Sequence, residues 1–308
     1  MKVVALSGGV GGAKLALGLD RTLDAGDLTL IANTGDDFVH HGLPVSPDID
    51  TLVYTLAGLN DETRGWGLAG ETWGFMAALG RLGGETWFNL GDRDLAMHVL
   101  RRDRLDAGET LSAATDAIRR RLGIAARILP MSDRPIPTTV ETVEHGPLPF
   151  QRYFVERQAA PIVTGFRFAG AEAAAPAPGL LDAIAAADRI VVCPSNPFIS
   201  IDPILAVPGV RDALQAAPAR VVAVSPIVAG EAIKGPTAKM FRELGFTPSP
   251  AAVAERYRDF LDVMVVDQAD AASAPDVRAL GLEAPTAQTV MRTLDDKTAL
   301  ARFVLATP

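Results

Sequence analysis

The residues Lys2–Lys14, K-V-V-A-L-S-G-G-V-G-G-A-K, decide the fold of this chain. The apolar run Lys2–Leu6 contains β-branched residues and stops at Ser7-Gly8-Gly9, which is typical of a buried parallel strand. Residues 14–23 then carry apolar side chains at helical spacing. A strand, a glycine turn and a helix together present backbone N–H groups to an anion. The opening segment therefore predicts an α/β unit with an anion-binding turn.

The glycine turn matches neither of two common nucleotide-binding patterns. A P-loop requires Gly-Lys-Ser/Thr, which Gly12–Leu15 (G-A-K-L) does not provide. A dinucleotide fingerprint requires G-x-G-x-x-G, and Lys14 stands where its last glycine belongs. We expect the amides of Gly8, Gly9 and Gly11 to bind phosphate, with Lys14 as a partner. The alternatives are a turn that serves only packing and a solvated lysine.

The rest of the chain alternates between predicted strands and helices. Thr138–Glu144 and Phe150–Arg157 flank a turn and predict a β-hairpin. Residues 60–180 are otherwise mostly helical and separate two halves of an α/β pattern. We predict one α/β domain over residues 1–308, with a doubly wound, mostly parallel sheet and a helical-plus-hairpin excursion at 60–180. Further buried strands are predicted at Leu28–Ala32, Arg189–Cys193, Arg220–Ser225 and Val263–Asp267.

Composition excludes several classes of protein. The 308 residues carry a net charge of −8, and the isoelectric point is about 5.1, which argues against general binding to nucleic acid or to an anionic membrane. No apolar run is long enough to span a bilayer, and no signal-peptide pattern opens the sequence. Cys193 is the single cysteine, so no internal disulfide or cysteine-based metal site can form. We expect a cytoplasmic protein.

Two acidic stretches follow the second strand, Asn33–Asp37 (N-T-G-D-D) and Ser46–Asp50 (S-P-D-I-D). Unpaired carboxylates beside an anion-binding turn suit a magnesium-bridged diphosphate, because Mg²⁺ prefers carboxylate, water and phosphate oxygens. Asp37, Asp48 and Asp50 are the candidate Mg²⁺ ligands, and Asp37 or Asp50 is the candidate catalytic base. Asp48 and Asp50 are alternatively helix caps. Asp36 is left out, because two adjacent side chains do not easily face one crevice.

Polar residues end four of the predicted strands, and in such sheets ligands lie at the carboxyl ends of the strands. Asn33 and Thr34 follow the second strand, and Ser195 and Asn196 follow the Arg189–Cys193 strand. We expect these four side chains to line one crevice, with Ser195 and Asn196 holding a guanine or its ribose. The alternative for residues 194–197 is a rigid turn that caps a helix.

Eight motifs together resemble the 2-phospholactate transferase family of coenzyme F-420 biosynthesis. The similarity runs in order from Met1 to about Asp270. It implies a dimeric Rossmann-like fold and magnesium-dependent transfer of a phosphorylated three-carbon acid from a guanosine diphosphate conjugate to the deazaflavin Fo, with release of GMP. The motifs are S-G-G-V-G-G-A-K, N-T-G-D-D-F-V-H-H-G, S-P-D-I-D-T-L-V-Y-T-L-A-G, R-G-W-G, E-T-W, W-F-N-L-G-D-R-D-L-A-M-H, P-S-N-P-F-I-S-I and V-S-P-I-V-A-G.

The resemblance also assigns contacts with the Fo acceptor. Its P-D-x-D motif carries an acceptor-binding aspartate, which corresponds to Asp50 here. A second contact precedes L-G-D-R-D, where many relatives have a basic residue and this chain has Asn89. Arg93 is the candidate to compensate for the missing charge, unless it belongs to a helix-start ion-pair cluster. The excursion at 60–180 is the expected acceptor pocket.

Aromatic residues in the excursion have two interpretations. Trp66, Trp73 and Trp87 either form an apolar wall for a flat deazaflavin or belong to the core. His40 and His41 lie near the acids, but their spacing does not support a zinc site.

Two other functions remain open from the sequence. The first is a nucleotide-binding regulator of the gluconeogenesis-factor type, which would lack the tryptophans and L-G-D-R-D. The second is an NAD-dependent oxidoreductase, which the missing third glycine argues against. The sequence leaves open whether the transferred acid is phospholactate, phosphoenolpyruvate or phosphoglycerate.

Overall fold

A computed structural model describes Met1–Pro308. The strands are β1 (Val3–Ser7), β2 (Leu28–Ala32), β3 (Phe38–His40), β4 (Leu43–Val45), β5 (Arg127–Pro130), β6 (Thr138–Thr142), β7 (Gly146–Pro149), β8 (Val163–Phe168), β9 (Arg189–Val192), β10 (Arg220–Val224), β11 (Ile227–Val228), β12 (Glu231–Ala232), β13 (Val263–Asp267) and β14 (Thr286–Ala287). The α-helices are α1 (Gly9–Asp20), α2 (Pro47–Leu56), α3 (Gly74–Arg81), α4 (Asp94–Asp106), α5 (Leu111–Arg121), α6 (Leu180–Ala185), α7 (Asp202–Leu205), α8 (Val210–Ala216), α9 (Thr237–Glu243), α10 (Pro250–Tyr257), α11 (Ala274–Ala279) and α12 (Leu294–Ala306).

Seven parallel strands form the central sheet, in the order β14-β13-β10-β9-β1-β2-β5. All residues of β1, β2 and β13 are buried, as expected for strands covered by helices on both faces. The strand order reverses between β1 and β9, so a crevice opens at their carboxyl ends. This arrangement confirms the predicted Rossmann-like, doubly wound fold.

Two apolar layers cover the sheet. On one face Leu15 of α1, Leu52 of α2 and Leu300 of α12 pack together. On the other face Leu180 of α6 and Phe241 of α9 belong to a second core cluster. No helix is both long and apolar enough to cross a membrane.

The predicted hairpin was partly wrong. β6 does belong to a hairpin, but its partner is β7 at Gly146–Pro149, which overlaps the predicted turn, and not Phe150–Arg157. Arg152–Glu156 instead forms a single π-helical turn, and β8 takes the third place in an antiparallel sheet ordered β7-β6-β8. Tyr153 in that turn is fully buried, so burial rather than strand pairing explains its apolar alternation.

The excursion at 60–180 contains one strand of the central sheet, which the sequence did not predict. β5 pairs with β2 at the edge of the sheet. The helices α3, α4 and α5 therefore precede β5, and the small antiparallel sheet follows it.

Candidate active site

Close packing, rather than an open loop, explains the glycines after β1. α1 begins at Gly9, immediately after the extended Gly8. The turn between β1 and α1 is therefore one residue, which is shorter than the sequence predicted. A Cβ atom at Gly11 would lie 2.5 Å from the Pro194 carbonyl oxygen, and one at Gly12 would lie 2.4 Å from Ser7 Oγ. The glycines thus let α1 approach the ends of β1 and β9.

We predict that Gly11→Ala lowers the free energy of unfolding by about 1–3 kcal/mol, the usual cost of overpacking a tight contact. The opposing atom is a backbone carbonyl oxygen and cannot move as a side chain does. Urea denaturation followed by circular dichroism measures the change. Gly80→Ala in α3 is the control, since its Cβ would meet only Thr86 Cγ2 at 3.5 Å. Equal stability of the Gly11 variant and wild type would contradict the packing role.

Side chains already occupy two amides predicted to bind phosphate. The Gly9 amide donates to Asp48 Oδ1 at 2.6 Å, and the Gly8 amide donates to Ser195 Oγ at 3.2 Å. Ser195 Oγ in turn donates to the Gly8 carbonyl at 2.8 Å. In this structure the predicted phosphate site at Gly8 and Gly9 is therefore closed by Asp48 and Ser195.

Asn33 organises the acids instead of standing free for a ligand. Its Nδ2 donates to Asp48 Oδ2 at 2.9 Å and lies 3.3 Å from Asp36 Oδ1. Its Oδ1 accepts from the Gly35 amide at 2.8 Å, which fixes the amide orientation. Asp36 was left out of the sequence-based prediction, yet the turn at Thr34–Asp37 places both adjacent aspartates in the wall of one cavity.

Burial strongly shifts the pKa values of these acids. Burial, followed by repulsion from Asp48, raises the pKa of Asp36 well above its usual range. Burial also raises the pKa of Asp37 well above its usual range, although a hydrogen bond from Ser46 Oγ opposes the shift. The pKa of Asp48 rises to about 6 through burial, while the bonds from Asn33 and Gly9 oppose the rise. A site of this kind attracts protons or cations.

The raised pKa of Asp36 predicts a pH-dependent effect of Asp36→Asn on stability. A carboxyl whose pKa is raised in the folded state favours folding at low pH, and this contribution is lost as pH rises through the folded pKa. We therefore expect Asp36→Asn to be more stable than wild type at pH 8, by about 1.4 kcal/mol or more, which corresponds to a tenfold change in proton affinity. At pH 4 the two proteins should be nearly equal in stability.

Urea denaturation at both pH values measures this difference. Asp24→Asn, at an exposed residue, is the control and should change stability little at either pH. A gain in the stability of Asp36→Asn that does not depend on pH would contradict the assignment of a raised pKa to this carboxyl.

Asp50 is held in a buried charge network that joins α2 to α4. Both of its carboxylate oxygens accept from Arg101, whose side chain is 1% exposed and also donates to the Pro44 carbonyl at 3.1 Å. His98 Nδ1 lies 3.7 Å from Asp50 Oδ2, and His98 Nε2 lies 3.3 Å from Asp94 Oδ2. Arg101 is the only arginine that forms an ion pair with any of these acids, and its partner is Asp50.

Sequence reasoning missed Arg101, although a signal was present. Asp94, His98 and Arg101 are four and three residues apart and therefore lie on one face of α4. A helical projection from the L-G-D-R-D motif would have grouped them on one face of the helix as a charged surface, without showing which acids that surface meets.

The structure does not support a joint metal site of Asp37, Asp48 and Asp50. No group of three His, Cys, Asp or Glu side chains is arranged to hold a metal ion. Asp50 is neutralised by Arg101, and Asp37 accepts from Ser46 Oγ at 2.7 Å. Asp36 and Asp48 instead share one hydrogen-bond donor, Asn33 Nδ2.

A cavity of about 430 Å³ adjoins the acids. Its wall includes Asp36, Asp37, Phe38, His40, Trp87 and Thr138. The Phe38 and Trp87 rings lie 6.1 Å apart, and Arg152 lies 4.3 Å from the centre of the Trp87 ring.

Three buried polar atoms in the cavity wall have no hydrogen-bond partner: Asp37 Oδ1, His40 Nε2 and Thr138 Oγ1. Burial lowers the pKa of His40 to about 4, so its imidazole is neutral at pH 7. Because buried polar groups normally find partners, the cavity suits a flat ligand that carries hydrogen-bonding groups.

Several predicted binding residues lie away from this cavity. Asn89 is exposed, and Arg93 donates to the Ala69 carbonyl at 2.6 Å. Trp66 and Trp73 both stack on Arg64, so only Trp87 of the three tryptophans forms part of the cavity wall. Trp66 is exposed and so does not belong to the core either, whereas Trp73 is partly buried against a small cluster of Val45, Met76 and Leu90.

The residues after β9 act mainly as a turn. Asn196 Oδ1 accepts from the Phe198 amide at 2.9 Å, which caps the following π-helical turn. Thr34 is buried, and its hydroxyl has no partner. Thr34 and Ser195 remain beside the crevice, whereas the side-chain oxygen of Asn196 is already used.

Comparisons with known proteins place this geometry in context. The family model of the 2-phospho-L-lactate transferase CofD matches residues 3–293. A phosphoenolpyruvate transferase of Kitasatospora aureofaciens is 43% identical over 99% of this chain and 97% of its own. A 2-phospho-L-lactate transferase of Methanosarcina mazei is 37% identical over 98% and 99%. A crystal structure of a UPF0052 family member from Bacillus halodurans superposes with a TM-score of 0.64 at 16% identity, covering 99% of this chain and 98% of that one, and shows the fold alone.

Proposed function

This chain belongs to the 2-phospho-L-lactate transferase CofD family of coenzyme F-420 biosynthesis, and we propose that it transfers a phosphorylated three-carbon acid from a guanosine diphosphate conjugate to Fo. GMP is the expected leaving group. One observation carries the proposal: Asp36 and Asp37 belong both to the acid cluster at the carboxyl ends of the sheet and to the wall of the aromatic cavity. A phosphoryl donor and a flat acceptor can therefore meet at these two residues.

The cavity is the proposed acceptor site. Its volume of about 430 Å³ lies in the range of small-molecule pockets. Phe38 and Trp87 offer aromatic surface to a deazaflavin ring, and neutral His40 offers a ring nitrogen for a hydrogen bond. The acceptor is thus recognised by stacking and by a few polar groups.

Asp37 is the proposed general base. Asp37 belongs to the cavity wall, its Oδ1 has no hydrogen-bond partner, and its raised pKa makes the carboxylate a better proton acceptor than a solvated one. In the transfer, Asp37 takes the proton of an Fo ribityl hydroxyl while that oxygen attacks the donor phosphorus. The bond from phosphorus to the GMP oxygen breaks, and GMP leaves with the electron pair. Asp50 pairs with Arg101, so its role in this proposal is to join α2 to α4.

Mg²⁺ is the proposed cofactor, and the residues present fit it. Mg²⁺ in proteins is commonly bound by one or two carboxylates together with waters and substrate phosphates. Asp36 and Asp48, which share the Asn33 amide as a donor, would hold the ion. Repulsion from Asp48 contributes to the raised pKa of Asp36. A divalent cation bound between the two carboxylates would neutralise this repulsion. When bound, the ion would offset negative charge on the phosphoryl oxygens.

The direct test is incubation of the purified protein with Fo, MgCl₂ and each of three guanylylated donors, carrying phospholactate, phosphoenolpyruvate or phosphoglycerate. Mass spectrometry of the product identifies which acid is transferred. We expect one donor to give Fo extended by its phosphorylated acid, together with GMP. No Fo adduct with any of the three donors would contradict the proposal.

Asn89→Lys restores the basic residue that many relatives carry before L-G-D-R-D. Because Asn89 is exposed, we expect stability to change by less than about 0.5 kcal/mol and the KM for Fo to stay equal or to fall. Steady-state kinetics with Fo as the varied substrate measure this. A large rise in the KM for Fo would show that Asn89 contacts the acceptor after all.

Neither of the two alternatives is favoured. The family model and the relatives named above are transferases, whereas the resemblance to the UPF0052 structure is one of fold. Homodimer formation and a cytoplasmic location remain proposals that rest on the family. Mass photometry of the purified protein tests the first, and a mass twice that of the 32.4 kDa chain is expected.

A further inference from the structure

Lysine is rare in this chain, and its lysines are unevenly placed. Of 29 basic residues, only five are lysines: Lys2, Lys14, Lys234, Lys239 and Lys297. Lys14, Lys234 and Lys297 come from three distant parts of the sequence and converge in the fold. We call these three residues the lysine cluster.

Two members of the lysine cluster donate hydrogen bonds to the same tight turn at residues 61–65. In this turn the Gly65 amide donates to the Asp61 carbonyl at 2.8 Å. Lys297 Nζ donates to Glu62 Oε1 at 3.0 Å, and Lys234 Nζ donates to the Gly65 carbonyl at 3.0 Å. Residues 62 and 65 therefore bring Lys297 and Lys234 to the same place.

The packing of α1 on α12 adds Lys14. A Cβ at Gly18 would lie 2.1 Å from the Lys297 carbonyl oxygen, so the two helices are in backbone contact one turn after Lys14. Lys14 Nζ donates to the Met291 carbonyl at 3.0 Å, in the segment that leads into α12. Burial, followed by repulsion from Lys297 and Lys234, lowers the pKa of Lys14.

The positive charge of the lysine cluster is poorly balanced. Its one carboxylate contact is with Glu62, whose side chain is 71% exposed, while Lys297 is almost completely buried. The nearby Asp61 pairs with Arg64 at 2.9 Å and is not free to compensate. Each Nζ of Lys14 and Lys234 makes one hydrogen bond, and an ammonium group has three N–H donors.

We propose that Lys14 and Lys234, with Lys297 behind them, bind a phosphate group of the guanylylated donor. The inference rests on the proposed function. Lys14 lies five residues after Gly9 in α1, which places its Cα about 7.5 Å further along the helix axis. Lys14 contacts the segment that follows the carboxyl end of β14, so the lysine cluster and the acids that follow β2 lie at the same edge of the parallel sheet, where ligands bind. Lysine suits this role, because its ammonium group binds phosphate as a compact point charge.

Binding of inorganic pyrophosphate and of GDP, measured by calorimetry in the absence of metal, tests the site without requiring turnover. Lys234→Ala is the chosen variant, because Lys234 is exposed and its loss should not impair folding. We expect its Kd for both probes to rise by about tenfold or more, as for the loss of one charged hydrogen bond. Lys2→Ala, at an exposed lysine outside the cluster, should bind as wild type does. Equal Kd values for Lys234→Ala and wild type, or no binding to wild type, would overturn the inference.

Kinetics separate failure of this site from failure of the proposed function. Lys234→Ala should raise the KM for the guanylylated donor about tenfold and leave the KM for Fo unchanged. Transfer to Fo with an unchanged donor KM in the variant would retain the function and reject the site. Pyrophosphate binding that depends on Lys234, in a protein that makes no Fo adduct, would retain the site and reject the function.

Discussion

Arg101→Met is expected to lower the free energy of unfolding by about 3–5 kcal/mol, the usual cost of breaking a buried ion pair by removing one partner. Arg101 is 1% exposed, and both oxygens of Asp50 accept from it. Its loss leaves Asp50 as a buried, uncompensated carboxylate near three other acids. Urea denaturation at pH 7.5 measures the difference.

Two further variants make this experiment decisive. Arg102→Met is the matched control, because Arg102 forms an exposed pair with Asp106 on the same helix and its loss should cost less than about 1 kcal/mol. Adding Asp50→Asn to Arg101→Met should recover much of the lost stability, since the uncompensated charge is then removed. A stability change for Arg101→Met as small as that for Arg102→Met would contradict the buried network.

Asp37→Asn is expected to lower kcat by about 10²–10⁴-fold, the usual contribution of a general base. Asparagine has the same shape and keeps an oxygen that can accept from Ser46 Oγ, so the fold should be retained. Steady-state transfer to Fo measures kcat, and Asp103→Asn on the exposed face of α4 is the control. A kcat within a few-fold of wild type would remove Asp37 from the chemistry.

Asp37→Asn is a cleaner test than Asp50→Asn. Asp50→Asn also abolishes the charge partner of Arg101 and leaves a buried guanidinium unpaired. Lost turnover in that variant would mix destabilisation with any catalytic effect.

The central sheet was predictable because parallel strands covered on both faces are continuous apolar runs. β1, β2, β9, β10 and β13 all have this pattern and were all found. β5 was missed because its four residues begin with Arg127 and end with Pro130, as an edge strand permits. The segment after Phe150 was misassigned, because an alternating apolar pattern also suits a short buried turn.

The candidate site was predictable in position but not in pairing. The rule that ligands lie at the carboxyl ends of strands predicted that these polar residues gather at one edge of the sheet, and the structure brings Asn33 and Asp48 into contact there. Their roles in binding stay predictions. Which acid meets which donor depends on contacts between segments distant in sequence. Asp50 and Arg101 are 51 positions apart in the sequence, and no local sequence pattern predicts a contact over that separation.

A crystal structure of the protein with Fo and MgCl₂ tests most directly the claim that Asp37 and the aromatic cavity form the acceptor site. We expect the deazaflavin ring against Trp87 and a ribityl hydroxyl about 2.6–3.2 Å from Asp37 Oδ1, within reach for proton transfer. Fo bound outside the cavity, or with every hydroxyl beyond hydrogen-bonding distance of Asp37, would contradict it.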